Sequence, residues 1–265
     1  MLKTWRLIDS GNGAAPFNMA LDEALALSVR RGASAPVLRL YGWVHPSVSL
    51  GRFQRTSDID TGYCSARDIP VVRRPTGGRA ILHDAELTYS FSVRTDHPSF
   101  AQGLRESYRK ISGAIGLALQ RTGIMAEAKD RPEKGTVLAG SPLCFQSSSR
   151  GEILCGSKKI VGAAQKRWTD GLLQQGTLPY RYDKEVMRSV FRLGPEIDPD
   201  QCMTGLKAVM PDLREDLLKK DIAKAFGDIF GISFVPSHPS EEELVLAHEL
   251  ETRKYLQDSW TLWRQ

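Results

Sequence analysis

The stretch Arg73-Arg74-Pro75-Thr76-Gly77-Gly78-Arg79-Ala80-Ile81-Leu82-His83 sets the frame for the whole chain. It reads as strand, glycine loop, strand. Two adjacent glycines let a backbone pass close to a ligand with no Cβ in the way. Their N–H groups can line an anion or a carbonyl. The same residues also fit a tight hairpin turn flanked by solvated arginines, and the pattern alone leaves both readings open. The glycine spacing and the absence of a following lysine exclude a Walker A loop and a dinucleotide fingerprint. His83, at a strand end, fits a general base, a substrate ligand or a structural histidine.

Strand signals surround this loop. Pro70 to Arg74 leads in, and Ala80 to Leu82 and Leu87 to Val93 read as a pair, with Leu87, Tyr89, Phe91 and Val93 on one face. Val37 to Tyr41 and Ser47 to Leu50 precede them. Thr4 to Asp9 is a first strand, closed by the turn signal Gly11-Asn12-Gly13. Further on come Glu152 to Leu154, Lys159 to Val161 and Leu172 to Leu178. Helical periodicity marks Phe17 to Arg31, stopped by Gly32. It also marks Phe100 to Thr122, where Leu104, Tyr108, Ile111, Ile115 and Leu119 recur at steps of three and four. Asp183 to Phe191 reads as a helix and Gly194 to Asp200 as a linker. Two helices, Asp212 to Ile229 and Ser240 to Gln257, flank a short strand, Ile232 to Val235. Ser240-Glu241-Glu242-Glu243 has the form of a capping box. Strands cluster without regular βαβ alternation. The expected class is therefore α/β in the α+β sense: a mixed, largely antiparallel sheet flanked by helices.

A chain of 265 residues buries a sizeable core without disulfides. No biased tract suggests disorder, and no apolar run approaches the ~18 residues of a membrane span. The N-terminus turns polar at once and lacks the apolar stretch of a signal peptide. The expectation is a cytoplasmic protein that binds no membrane. Lys and Arg number 36 against 31 Asp and Glu, a net charge of +5. The excess is scattered, which argues against nucleic acid and fits acidic protein partners. The cysteines are Cys64, Cys144, Cys155 and Cys202, with no C-x-x-C, so a zinc site is not expected.

Two further segments carry chemistry. Cys144 lies in Gly140-Ser141-Pro142-Leu143-Cys144-Phe145, inside the irregular stretch Asp130 to Ser149. A thiol accepts an acyl group readily and passes it to an amine. Cys155 sits in an apolar run and reads as a core thiol, and Cys64 and Cys202 read as inert. Lys158-Lys159-Ile160-Val161-Gly162-Ala163-Ala164-Gln165 reads as a strand with one lysine inward and one outward. Its small residues leave room for a thin apolar chain. A surface strand with solvated lysines is the alternative.

Together, in this order, the three segments resemble the superfamily of lipoate-protein ligases, biotin-protein ligases and octanoyltransferases. The run from Arg73 to His83 resembles its ligand-binding signature, R-R-x-[ST]-G-G-x-x-x-x-H. Lys159 matches the functional lysine of its lysine motif. Trp5-Arg6-Leu7-Ile8-Asp9-Ser10-Gly11 and Phe17-Asn18-Met19-Ala20-Leu21-Asp22-Glu23-Ala24 are similar to its N-terminal segment. Cys144-Phe145 resembles the nucleophile dipeptide of the LipM-type octanoyltransferases. Arg79 stands where many ligases carry a third glycine.

The resemblance implies the biotin/lipoate-protein ligase catalytic fold, with residues 1–210 as an acyltransferase domain. Residues 211–265 are then expected to form a C-terminal helical extension packed on it. It implies transfer of octanoyl from acyl carrier protein to a lysine of a lipoyl-accepting protein such as the glycine cleavage H protein. It also implies that Cys144 is the thioester nucleophile with Lys159 as the cation beside it, and that Arg74, Thr76, Gly77, Gly78, His83, Gly162 and Ala163 line the acyl site. Neither ATP nor a metal is needed, and a monomer is expected. The alternatives are an ATP-dependent lipoate-protein ligase and an amidotransferase moving octanoyl from H protein to dehydrogenase lipoyl domains.

Overall fold

The computed structural model describes residues 3–128 and 152–263. Eight strands form one sheet. In chain order its strands are β1 (Lys3–Gly13), β2 (Val37–Trp43), β6 (Glu86–Val93), β7 (Glu127–Ala128), β8 (Ile153–Cys155), β9 (Lys158–Arg167), β10 (Leu172–Pro179) and β11 (Ile232–Pro236). Across the sheet they run β11-β1-β2-β6-β10-β9-β8-β7. The pairs β11–β1 and β1–β2 are parallel; the rest, from β2–β6 to β8–β7, are antiparallel. A small second sheet takes β4 (Val71–Arg73), β3 (Ser47–Leu50) and β5 (Ile81–His83), in that order. The expected mixed, largely antiparallel class is the one observed.

The large sheet has two unlike faces. One is covered by α3 (Leu104–Arg121) and α7 (Glu215–Phe230), which pack on each other. Leu87, Tyr89, Phe91 and Val93 meet Ile111, Ile115, Leu119, Ile222 and Phe226 there, with Trp5 at the centre. Burying an aliphatic or aromatic side chain of this kind contributes about 1.5–3 kcal/mol, so this layer supplies most of the folding drive. The other face carries α1 (Ala15–Arg30) and, outside it, α8 (Glu241–Leu250). Ile8, Leu21, Leu25, Val29 and Ala247 make an apolar seam there. The small sheet, with α2 (Thr61–Ala66) and α4 (Lys184–Val190), encloses a core of its own that includes Val48, Leu50, Leu82 and Met203.

Three expectations are corrected. The strands Ala80 to Leu82 and Leu87 to Val93 are not partners: β5 pairs with β3, whereas β6 lies between β2 and β10. All eight residues of β6 are buried, so it is a central strand with both flanks occupied, and the chain changes sheet at Asp84-Ala85. The first strand does not stop at Gly11. It continues to Gly13 through a bulge between Asp9 and Asn12, with Gly11 at φ +63° absorbing the irregularity. The linker from Gly194 to Asp200 runs into a one-turn helix, α5 (Pro199–Cys202), capped by Asp198.

The C-terminal segment is stitched into the sheet through β11 on β1. Its capping box is formed: Ser240 Oγ accepts from Glu243 N, and Ser240 N donates to Glu243 Oε2 at 2.8 Å. A further helical turn over Glu251–Tyr255 and α9 (Asp258–Thr261) end the described chain. No described helix is long and apolar enough to cross a membrane.

Candidate active site

The glycine loop is locked by its own arginines. Arg74 is buried, and its guanidinium donates to Ser49 O (2.8 Å), Gly77 O (2.7 Å) and Arg79 O (2.7 Å). Arg73 donates to Gly51 O, Gln54 O and Thr261 O, tying the loop base to the C-terminal helix α9. Gly78 has φ +89° and presses its carbonyl against Gly51, where a Cβ would come to 1.8 Å from Gly78 O. The sharp turn and the close approach both require glycine. So the Arg74 guanidinium, expected in the acyl site, also shapes the loop.

Beside this loop, between the two sheets, lies a narrow, tightly closed cleft. Met19, Tyr41, Trp43 and Ile81 give it apolar walls, and Ser49, Arg74, His83, Thr88, Gln175 and Thr177 give it polar ones. From β9 and β10 come Ala164 and Gly176. His83 stacks on Trp43 with ring centroids 3.9 Å apart. Its Nδ1 lies 2.7 Å from Glu86 Oε1 and its Nε2 2.7 Å from Ser49 Oγ. Trp43 Nε1 and Thr88 Oγ1 also donate to Glu86 Oε1. Burial pushes the Glu86 carboxyl up, but His83 and the hydroxyl donors outweigh it and hold the group below its ordinary value.

Behind the cleft runs a buried polar network. Thr76 Oγ1 donates to Gln175 Oε1 (2.8 Å), and Gln175 Nε2 donates to Asp22 Oδ2 (2.8 Å). Asp22 also accepts from Arg39, Tyr41 and Ser90 at 2.6–2.8 Å. Burial, then the Asp22 charge, drive the Tyr41 hydroxyl well above its usual range, so Tyr41 stays a donor. Arg39 further donates to Asn18 Oδ1 at 2.7 Å. Thr76 therefore sits one step behind the cleft.

Lys159 is 3% exposed, and its Nζ donates to Glu152 Oε1 at 2.7 Å, a pair buried on both sides. Lys158 is half-buried, so one lysine points in and the other out. The register between β8 and β9 slips at Ile153/Leu154, and Ile160 and Val161 both enter the core under α3. That bulge turns Lys159 to the opposite face, which Gly162 and Ala164 share. Ala163 pairs with Gly176, which pairs with Tyr89 of the α3 core, so Ala163 faces α3 rather than the cleft. Ala164, one residue on, is the position that lines the cleft. Along the strand, three residues separate Lys159 from Gly162, about 10 Å.

Cys144 lies outside the described residues. The strands that bracket its segment are paired, Ala128 with Ile153, and Glu152 is the residue that holds Lys159. Of the other cysteines, Cys64 is buried in the second core and its thiol is pushed up to about 11, chiefly by burial. Burial also raises Cys202. At both positions burial disfavours the thiolate, the form that reacts.

The sequence reading missed Trp43, Ser49, Glu86, Glu152, Arg39 and Gln175. Asp22 and Asn18 belong to the N-terminal stretch already singled out, and polar residues on the inner face of an apolar helix are a signal in themselves. Glu152 immediately precedes β8 and the others are ordinary residues in strands; only the packing of the sheets reveals their roles.

Residues 14–227 match the family described as the lipoyl protein ligase A/B catalytic domain, and the chain belongs to that family. Within it, the chain groups with proteins named octanoyltransferase LipM. The one from Kyrpidia tusciae is 36% identical over 271 residues, covering 98% of each chain. The one from Bacillus subtilis is 35% identical, covering 97% of this chain and 98% of the other. Among solved structures, a lipoate-protein ligase A bound with ATP superposes with a TM-score of 0.83 at 25% identity, over 99% of each chain.

Proposed function

We propose that this acyltransferase takes its octanoyl group from octanoyl-acyl carrier protein. It delivers the group to a lysine of a lipoyl-accepting protein, the glycine cleavage H protein, through a thioester on Cys144. The observation that carries the reading is a buried cation, Lys159 on Glu152, on the face of β9 whose Ala164 lines an apolar-walled cleft. At about 1.2 Å per bond, an octanoyl chain whose carbonyl is held near that ammonium extends about 9 Å along this face toward the cleft. At about 0.8 kcal/mol per buried CH₂, such a tail gains about 5 kcal/mol.

In the first step the Cys144 thiolate attacks the donor carbonyl. A new S–C bond forms, the bond to the carrier's pantetheine sulfur breaks, and that sulfur leaves as a thiolate that takes up a proton. In the second step the neutral acceptor amine attacks the acyl-enzyme, loses a proton, and forms the amide as Cys144 departs. Lys159 stabilises the thiolate and the developing oxyanion. The thioester is already activated, so neither nucleotide nor metal takes part. Splitting the transfer lets the two carriers bind in turn.

The test is mass spectrometry of the purified chain mixed with octanoyl-acyl carrier protein, without nucleotide. The native chain gains one octanoyl mass, discharged on adding H protein, and the Cys144→Ala chain gains none. An adduct on another cysteine, or loading only from free octanoate with ATP, overturns the reading.

A further inference from the structure

We infer that the surface formed by Arg30, Arg52, Lys166 and Lys254 around Trp168 and Trp260 docks the acidic face of the acyl-carrier donor. The inference rests on the donor reading proposed above. The four cations are held by indole faces as much as by acids. The charges of Arg30 and Lys166 lie 4.3 and 4.5 Å from the Trp168 ring, and those of Arg52 and Lys254 lie 4.2 and 4.0 Å from Trp260. Glu23 neutralises Lys254 and Asp170 neutralises Arg30. Arg52 and Lys166 make no ion pair with any described carboxylate. Burial, together with the charges of Lys254, Arg52 and Arg30 and against the pull of Glu23, holds the Lys166 ammonium below its ordinary range. A cluster in which cations outnumber acids attracts an anionic surface. Phe53 and Trp263, 67% and 46% exposed beside Arg52, add the aromatic anchors on which protein interfaces depend.

The surface is built on the site. Arg52 N donates to Thr76 O at 2.8 Å, and Trp260 Nε1 donates to Arg73 O at 2.8 Å, so both ends of the glycine loop are anchored beneath it. Lys166 lies two residues beyond Ala164, on the same face of β9. Distance then selects the occupant. Seven residues of strand separate Lys166 from Lys159, about 23 Å. An acceptor docked there could not bring its own lysine side chain to the reaction centre. A donor whose acyl group rides on a long, flexible pantetheine arm can.

The test compares octanoyl-acyl carrier protein with octanoyl-pantetheine, the arm without the protein, as donors to the full chain and to its Lys166→Glu and Arg52→Gln variants. With the carrier, acyl-enzyme formation falls about tenfold in each variant and about 100-fold in the double, and the steep salt dependence of the native chain flattens. With octanoyl-pantetheine all chains load within about twofold of one another. Three outcomes overturn the inference: equal loss with both donors, no loss with the carrier at low salt, or loss only in discharge to the acceptor. A native chain that loads from octanoyl-pantetheine but not from the carrier overturns the donor reading itself, and the docking surface with it. A native chain that loads from both, with variants unaffected, overturns the docking surface alone.

Discussion

The two faces of the large sheet are built on opposite rules. Under α3 and α7 the side chains are nearly all apolar. Trp5 sits within 5.4–6.3 Å of Phe91, Phe100 and Phe230, and Phe226 joins them at 5.3 Å from Phe91. Any side chain of similar volume serves such a core, because burial is non-directional. Under α1 the same strands send Arg39, Thr88, Ser90 and Gln175 inward to meet Asp22, Thr76 and Glu86, each bond fixing a neighbour's orientation. A site that positions a carbonyl needs the second kind of order, and the cleft and Lys159 lie on that face. One face supplies stability, the other geometry.

The sharpest break of that contrast is at Lys159. Lys159→Gln lowers octanoyl transfer by about 10²–10³-fold, the scale set by losing one aimed donor at a developing oxyanion. It also leaves Glu152 buried without its counter-charge, a cost of about 3–5 kcal/mol. The double variant Glu152→Gln/Lys159→Gln recovers most of the stability in urea unfolding, because neutral amides can bond each other, yet stays inactive. If the double variant regains activity with stability, the role of Lys159 is structural only. Alkylation of Cys144 by iodoacetamide at neutral pH slows in both variants; unchanged kinetics remove the effect of Lys159 on the thiol.

Next in size is Asp22→Ala. It strands Arg39 in a site that is 1% exposed and removes the acceptor of Tyr41, Ser90 and Gln175, for a loss of about 3–5 kcal/mol. On the other face Leu119→Met, at a position with no exposure, costs less than about 1.5 kcal/mol. Comparable losses at the two positions would dissolve the distinction between the faces.

What the sequence makes legible follows the same division. The apolar face is periodic, so Leu87 to Val93 and Ile111 to Leu119 announce themselves at periods of two and near 3.6. The polar face has no period. Thr88 and Ser90 read as the solvent side of β6, though they are 3% exposed, because nothing local shows that α1 covers them. The pairing of β5 with β3 is likewise unreadable from neighbouring residues, since it depends on a change of sheet at Asp84-Ala85. The positions of Lys159 and the glycine loop were legible as motifs. The displacement of Ala163 by Ala164 at the cleft was not, because a bulge at Ile160 shifts the alternation by one.

Gly176 tests where the two faces meet. It lines the cleft, yet a Cβ there would come to 2.3 Å from the Tyr89 ring on the apolar side. Gly176→Ala costs about 1–3 kcal/mol by overpacking, since the ring is fully buried and cannot retreat. Transfer of octanoyl falls more than transfer of a hexanoyl analogue, because movement of Tyr89 and β10 narrows the far end of the cleft. Equal losses for both chain lengths would place the acyl tail elsewhere.

The smallest effect belongs to the outer rim of the polar face, at the start of α8. Ser240→Ala removes one half of the capping box and costs about 1 kcal/mol. Glu243, the other half, also receives two hydrogen bonds from Arg6 at 2.7 and 2.8 Å. Burial raises the Glu243 carboxyl, but Arg6 and the Ser240 amide outweigh it, so its folded value lies below the unfolded one. The sign follows: the stabilisation is fully present above the unfolded value of about 4.3 and is lost as pH falls through the folded value. Glu243→Gln therefore costs stability at pH 7 and much less at pH 3, and the gap between native and variant unfolding midpoints closes on acidification. A gap that stays constant with pH would mean that the side chain acts there through packing, as on the apolar face, and not through its charge.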